Sequence, residues 1–182
     1  MAELPRRIFL DSCTLQTLQC YGEYIYDGAE IPPNDKLWGV TNGIQNVEAL
    51  RKIVLVYQRA PVELALSRSS LDEVLDKRDG NYLGWTLEVL GYWEECRRLY
   101  ECGFTGEGDR IARRLSTGSF GYLSVKDKRL VRDAVAFECD VFLTVETKLP
   151  KNAKHLQHEL GIRILQPTEY WEMLKPYAPL SC

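Results

Sequence analysis

The chain has 182 residues, 45% of them hydrophobic and 27% charged, with a formal net charge of −3. That balance is ordinary for a soluble globular protein with one core, and it excludes a chain that is basic overall and binds nucleic acid by bulk charge. No apolar run approaches the roughly 20 residues of a membrane helix, and the N-terminal apolar stretch is too short for a signal peptide, so a cytoplasmic protein without membrane association is expected. The six cysteines contain no CxxC pair. Neither a disulfide framework nor a zinc site is predicted.

In chain order, Arg7-Ile8-Phe9-Leu10 predicts a short buried strand, stopped by Asp11-Ser12-Cys13-Thr14. Residues 15–20 predict a helix that Asp11 or Ser12 caps. Residues 21–42, rich in Gly, Pro, Asn and Asp, read as a long loop. From Gly43 a helix is predicted with Ile44, Val47, Leu50, Val54 and Tyr57 on one side, ending near Pro61. Val62-Glu63-Leu64-Ala65-Leu66 predicts a second strand, and Ser70-Leu71-Asp72-Glu73 has the spacing of a capping box opening the next helix. A long helix over 82–101 and a shorter one over 109–115 follow. Ser124-Val125-Lys126-Asp127 is a second capping-box pattern, and its helix puts Leu130, Val131, Ala134, Val135 and Phe137 on the buried side. Residues 140–144 and 161–165 predict two further strands, and 169–174 a closing helix. Strands alternating with helices imply a parallel sheet covered on both faces. The whole chain reads as one domain.

Binding sites in open parallel sheets form beyond the carboxyl ends of the strands. Asp11 ends the first strand, and Glu73 follows the second by one helical turn. Asp127 opens the helix that feeds the third strand, and Glu146 lies just past that strand. Gathered at one edge, four carboxylates would repel one another and raise one another's pKa values. Mg²⁺ or Mn²⁺, which prefer oxygen ligands, would relieve that repulsion, activate water and clamp a scissile phosphate. Each acid also has a plainer role: Asp11 as a helix cap, Glu73 and Asp127 as the acids of capping boxes, Glu146 as a surface residue. Asp133 competes with Asp127 on the same helix. Roughly 240° separates the two side chains, so only one faces a common site. Asp127 gains from the positive helix terminus, whereas Asp133 is expected to pair on the surface with Arg129.

Ile8-Phe9-Leu10-Asp11-Ser12, the segment ending in Asp72-Glu73, and the block from Lys126-Asp127 to Thr144-Val145-Glu146 resemble the PIN family of metal-dependent nucleases, including its VapC-like toxin members. The stretch Gly161-Ile162-Arg163-Ile164-Leu165-Gln166-Pro167 resembles that family's usual ending. The resemblance implies a Rossmann-like three-layer α/β/α fold with a central, mostly parallel sheet. It also implies a Mg²⁺ or Mn²⁺ site formed by Asp11, Glu73, Asp127 and Glu146, supported by Ser12 and Thr144, and endonucleolytic cleavage of RNA. Glu146 stands where the family more often has Asp, and the segments at about 20–60 and 79–123 are longer than in compact toxin members. These insertions suit a substrate groove, a homodimer surface or the site of an antitoxin partner.

Other readings remain at this point. A non-catalytic PIN-like module would bind RNA or protein without cutting. An aspartate-nucleophile phosphatase needs a second acid two residues after the first, where Cys13 stands. Arg97, Arg98, Arg110, Arg113 and Arg114 form a basic cluster that suits either RNA phosphates or a solvated helix face. The aromatic residues of the 82–100 segment suit core or protein contacts better than base stacking. His155 and His158 lack a third ligand and read as solvated. No Gly-rich phosphate loop is present.

Overall fold

Four short apolar segments, each flanked by polar residues, set the architecture. In the computed structural model, which describes residues 4–57, 59–76 and 107–181 together with Glu95 and Arg98, they form strands β1 (Arg7–Leu10), β2 (Glu63–Ala65), β3 (Val141–Leu143) and β4 (Arg163–Leu165). The sheet is wholly parallel, in the order β2-β1-β3-β4. Among the described residues eight α-helices surround it: α1 (Ser12–Cys20), α2 (Gly22–Asp27), α3 (Gly43–Tyr57), α4 (Arg68–Asp76), α5 (Glu107–Ser116), α6 (Val125–Ala136), α7 (Ala153–Leu160) and α8 (Pro167–Leu174).

Side chains alternate across a strand, and here both faces are apolar. Ile8, Leu10, Leu64, Val141 and Leu143 point to one face, where α1, α2, α3, α4 and α8 bury Leu18, Ile25, Leu50, Leu71 and Tyr170 against them. Phe9, Ala65, Phe142 and Ile164 point to the other, under Leu115 of α5, Val131 of α6 and Leu156 of α7. Phe9 and Phe142 stack with ring centroids 5.4 Å apart at the middle of that second core. The result is the expected three-layer α/β/α fold. No helix among the described residues is long and apolar enough to cross a membrane.

At the amino edge of the sheet, the Asp140 carboxylate accepts from the backbone N–H groups of Arg6 (2.8 Å) and Arg7 (2.9 Å). Arg7 donates in turn to the carbonyl of Phe137. The start of β1 is thereby tied to the α6–β3 connection.

The structure departs from the sequence expectations in four places. Residues 21–42 are not one loop: they contain α2 and a 3-10 turn, Lys36–Gly39. The apolar Ile25 explains α2, since its burial offsets the helix-breaking neighbours, and Gly28 ends it at φ 76° in the left-handed region glycine tolerates. Second, α4 begins at Arg68, so Ser70 lies inside the helix and does not cap it. Its hydroxyl instead donates to the last carbonyl of β1, Leu10, at 3.2 Å. Third, β1 spans its expected residues, but β2, β3 and β4 are one or two residues shorter than expected at one or both ends. Fourth, the buried side of α6 takes in Asp133 and Ala136 beside Leu130, Val131 and Ala134, and Val135 is only half-buried. Of the helix expected over 82–101, only Glu95 and Arg98 are among the described residues, and both are helical.

Candidate functional site

The strand registers can be continued past the strand ends. Phe9 pairs with Ala65 and Phe142, and Phe142 with Ile164. One step on, the same offsets align Leu66, Leu10, Leu143 and Leu165, an unbroken leucine row. One step further they align Ser67, Asp11, Thr144 and Gln166, a wholly polar row. The backbone N–H of Asp11 still donates to Leu143 (3.3 Å), and that of Thr144 to Leu165 (3.0 Å), so the ladder persists to this level. The sequence thus changes from apolar to polar simultaneously on four strands, at the carboxyl edge.

Asp11 is the centre of the site. It caps α1, its Oδ1 accepting from the Thr14 N–H at 2.6 Å, and its Oδ2 accepts from the Thr144 hydroxyl at 2.6 Å. The residue is only 2% exposed. Burial pushes its pKa up from 3.8 to about 6, against the lowering effect of the bonds from Thr144 and Thr14, and the charge of Glu146 adds to the rise. Thr144 Oγ1 also accepts from the Glu146 N–H at 3.1 Å, so one hydroxyl ties the two acidic residues together. The Glu146 carboxylate accepts from the Cys13 thiol at 3.0 Å. On the other flank, the Ser12 hydroxyl donates to Glu73 at 2.7 Å. Asp11, Ser12, Glu73, Thr144 and Glu146 are therefore joined through three consecutive residues, 11 to 13, at the start of α1.

The structure does not bring Asp127 into this network. It lies at the start of α6, where its carboxylate accepts from the Ser124 N–H and its N–H donates to the Ser124 hydroxyl, both at 3.1 Å, a complete capping box. Asp133 does not pair with Arg129 on the surface. It is buried and accepts from Nε of its neighbour Arg132 at 2.7 Å, because its flank of α6 is covered. Arg110, Arg113 and Arg114 lie exposed on α5, with Arg114 donating to Glu159 at 3.3 Å. Arg98 is exposed, and Arg97 lies outside the described residues. His158 is solvated as expected, but His155 is half-buried, its Nδ1 sharing a hydrogen bond of 2.8 Å with the Tyr122 hydroxyl.

Sequence reasoning missed Cys13, Ser67 and Gln166. Gln166 donates to the Glu146 carbonyl at 3.4 Å. Ser67 is buried, and its hydroxyl has no hydrogen-bond partner among the described residues. Only the strand register signals Ser67 and Gln166, which share the row of Asp11, while Cys13 lies two residues past Asp11 in the first turn of α1.

A hard divalent cation is compatible with this donor set in kind. The donors are carboxylate oxygens, each oxygen of Asp11 retains a second lone pair, and the orphan Ser67 hydroxyl is free for a water or ligand. Among the described residues no three or more His, Cys, Asp or Glu side chains are grouped so as to hold a metal ion by themselves. The fit is that of an ion held by one or two carboxylates and otherwise by water, the usual habit of Mg²⁺. Compared with family models, curated proteins and solved structures, the chain matches none.

Proposed function

We propose that this chain is a metal-dependent nuclease that hydrolyses RNA phosphodiesters at the carboxyl edge of its sheet. The observation that carries the reading is Asp11: a buried carboxylate, oriented through both oxygens, at the centre of the one polar row of a parallel sheet. Burying a carboxylate without a positive partner is costly, and among the described residues no cationic side chain is bonded to it. Asp11 and Glu146 would hold the ion, which when bound supplies positive charge for a scissile phosphate and activates water. Thr144 fixes the orientation of Asp11, and Ser12 holds Glu73 ready at the flank. The first turn of α1 opens at the same edge, and its positive end favours phosphate oxygens. Lys148, Lys151 and Lys154 stand exposed on the segment leaving Glu146, adding counter-charge for an RNA backbone. The resemblance of the 8–12 and 126–146 segments to the PIN family supports the same chemistry.

The test is incubation of the purified chain with labelled single-stranded RNA in Mn²⁺, in Mg²⁺ and in excess EDTA. Cleavage is expected with either ion, and none with chelator or in the Asp11→Asn variant. Equal cleavage in EDTA would end the metal reading. Binding without cleavage under every condition would identify a non-catalytic RNA-binding module instead.

A further inference from the structure

Beside Glu146 a pocket of about 300 Å³ opens between α1, the 3-10 turn and the start of α3. Leu37, Val40, Val47 and Val145 make its walls largely apolar, and Cys13 and Glu146 form the side it shares with the acidic network. The pocket is built rather than incidental. Asp35 Oδ1 accepts from both the Tyr21 hydroxyl (2.8 Å) and the Leu37 N–H (2.7 Å), pinning the turn to the end of α1. Gly43 lies so close to Leu37 that a Cβ there would sit 2.6 Å from the Leu37 carbonyl oxygen.

Asn46 is a buried polar residue of this lining. Only 3% exposed, it lines the cavity, and its Oδ1 accepts from the N–H and the hydroxyl of Thr168 at 3.4 and 3.2 Å. A backbone N–H can only donate, so the amide oxygen must face Thr168. The Nδ2 donors are left with no hydrogen-bond partner among the described residues. At the rim stands Lys36, exposed and without an ion pair among the described residues.

We propose that this pocket seats one unpaired nucleobase of the substrate strand, with Asn46 donating to an acceptor on the base edge and Lys36 meeting an adjoining phosphate. Largely apolar walls with a few placed polar groups suit a flat heteroaromatic ring, and unpaired bases are what proteins read in RNA. The shared Glu146 places that base next to the carboxylates, so the pocket sets where along the strand the cut falls. The assignment rests on the nuclease reading for its placement in a reaction, but binding itself is measured without cleavage.

The experiment is titration of the intact metal-free chain with the nucleoside 5′-monophosphates and the matching nucleosides by calorimetry, for wild type, Asn46→Asp and Lys36→Gln. Asn46→Asp keeps the acceptor for Thr168 and removes the inward donors. At least one monophosphate should saturate, and Asn46→Asp should weaken it about tenfold, the scale of one lost hydrogen bond to a partly desolvated partner. Lys36→Gln should weaken the monophosphate and leave the nucleoside unchanged. Lys36 is exposed, so that comparison decides the matter if Asn46→Asp lowers the thermal midpoint. No saturation by any of these ligands, or unchanged affinity in both variants, overturns the pocket. A chain that cuts RNA yet binds no mononucleotide keeps the nuclease and loses the pocket; one that binds them and cuts nothing does the reverse.

Discussion

Replacing Asp11 with Asn should make the metal-free protein more stable at neutral pH while abolishing cleavage. Burial raises the Asp11 pKa from 3.8 to about 6, so between those values the folded chain keeps a proton that the unfolded chain releases. Stability contributed at low pH is therefore lost as pH rises through that window, the reverse of a salt-bridged aspartate. The rise corresponds to about 3 kcal/mol at pH 7, felt as a penalty. Asparagine carries no charge to desolvate and keeps an oxygen for the Thr14 N–H. It exchanges the Thr144 bond for a reversed one, at a cost of about 1 kcal/mol. The net gain is about 2 kcal/mol in EDTA at pH 7, or about 4–8 °C in thermal midpoint for a chain of this size, shrinking to nothing near pH 4. Urea unfolding of both proteins from pH 4 to 8 measures it. Parallel stability profiles across that range would refute the buried-carboxylate reasoning.

Three further outcomes are expected. Asp127→Asn retains an acceptor for the Ser124 N–H and stands outside the hydrogen-bonded network of Asp11, so it should leave stability and cleavage unchanged; Asp133→Asn, which weakens a buried charge-assisted bond, should cost about 1–3 kcal/mol in urea unfolding and leave the cleavage rate intact. Thr144→Val removes the donor to Asp11 and the acceptor of the Glu146 N–H, and should both destabilise the fold by about 1–3 kcal/mol and move the acidic limb of the pH–rate profile upward. Gly43→Ala forces a Cβ to within 2.6 Å of the Leu37 carbonyl and should destabilise by about 1–3 kcal/mol, read as a lower urea midpoint with an unchanged slope.

The layer architecture was legible because strands buried on both faces are continuous apolar runs, and each of the four is bounded by polar residues. Strand ends pointed to Asp11, Glu73, Asp127 and Glu146, and the PIN resemblance to Ser12 and Thr144; hydrogen bonds link all of these but Asp127. What escaped the sequence depended on partners far away along the chain. Gly22 and Gly28 flank α2 and disguise it as loop, and only packing of Ile25 reveals the helix. Asp133 looks like a surface acid, and its burial and its bond to Arg132 appear only in the folded chain. Ser67 and Gln166 carry no motif, and their alignment with Asp11 appears only when the strands are in register.

That alignment bears on folding as much as on chemistry. β1, β3 and β4 each end in a leucine and β2 is followed by Leu66, with a polar residue next on all four, so the boundary between oil and water at this edge is one residue thick, about 3.3 Å. Were β1 to slide by a single residue against β3, Asp11 would enter the leucine row and Ile8 and Leu10 would swap faces. An unpaired carboxylate in that layer costs several kcal/mol, more than any apolar mismatch along so short a strand. The polar row thus acts as a stop for the sheet in that direction: the residues that would hold the substrate also oppose the slip that draws Asp11 into the leucine layer.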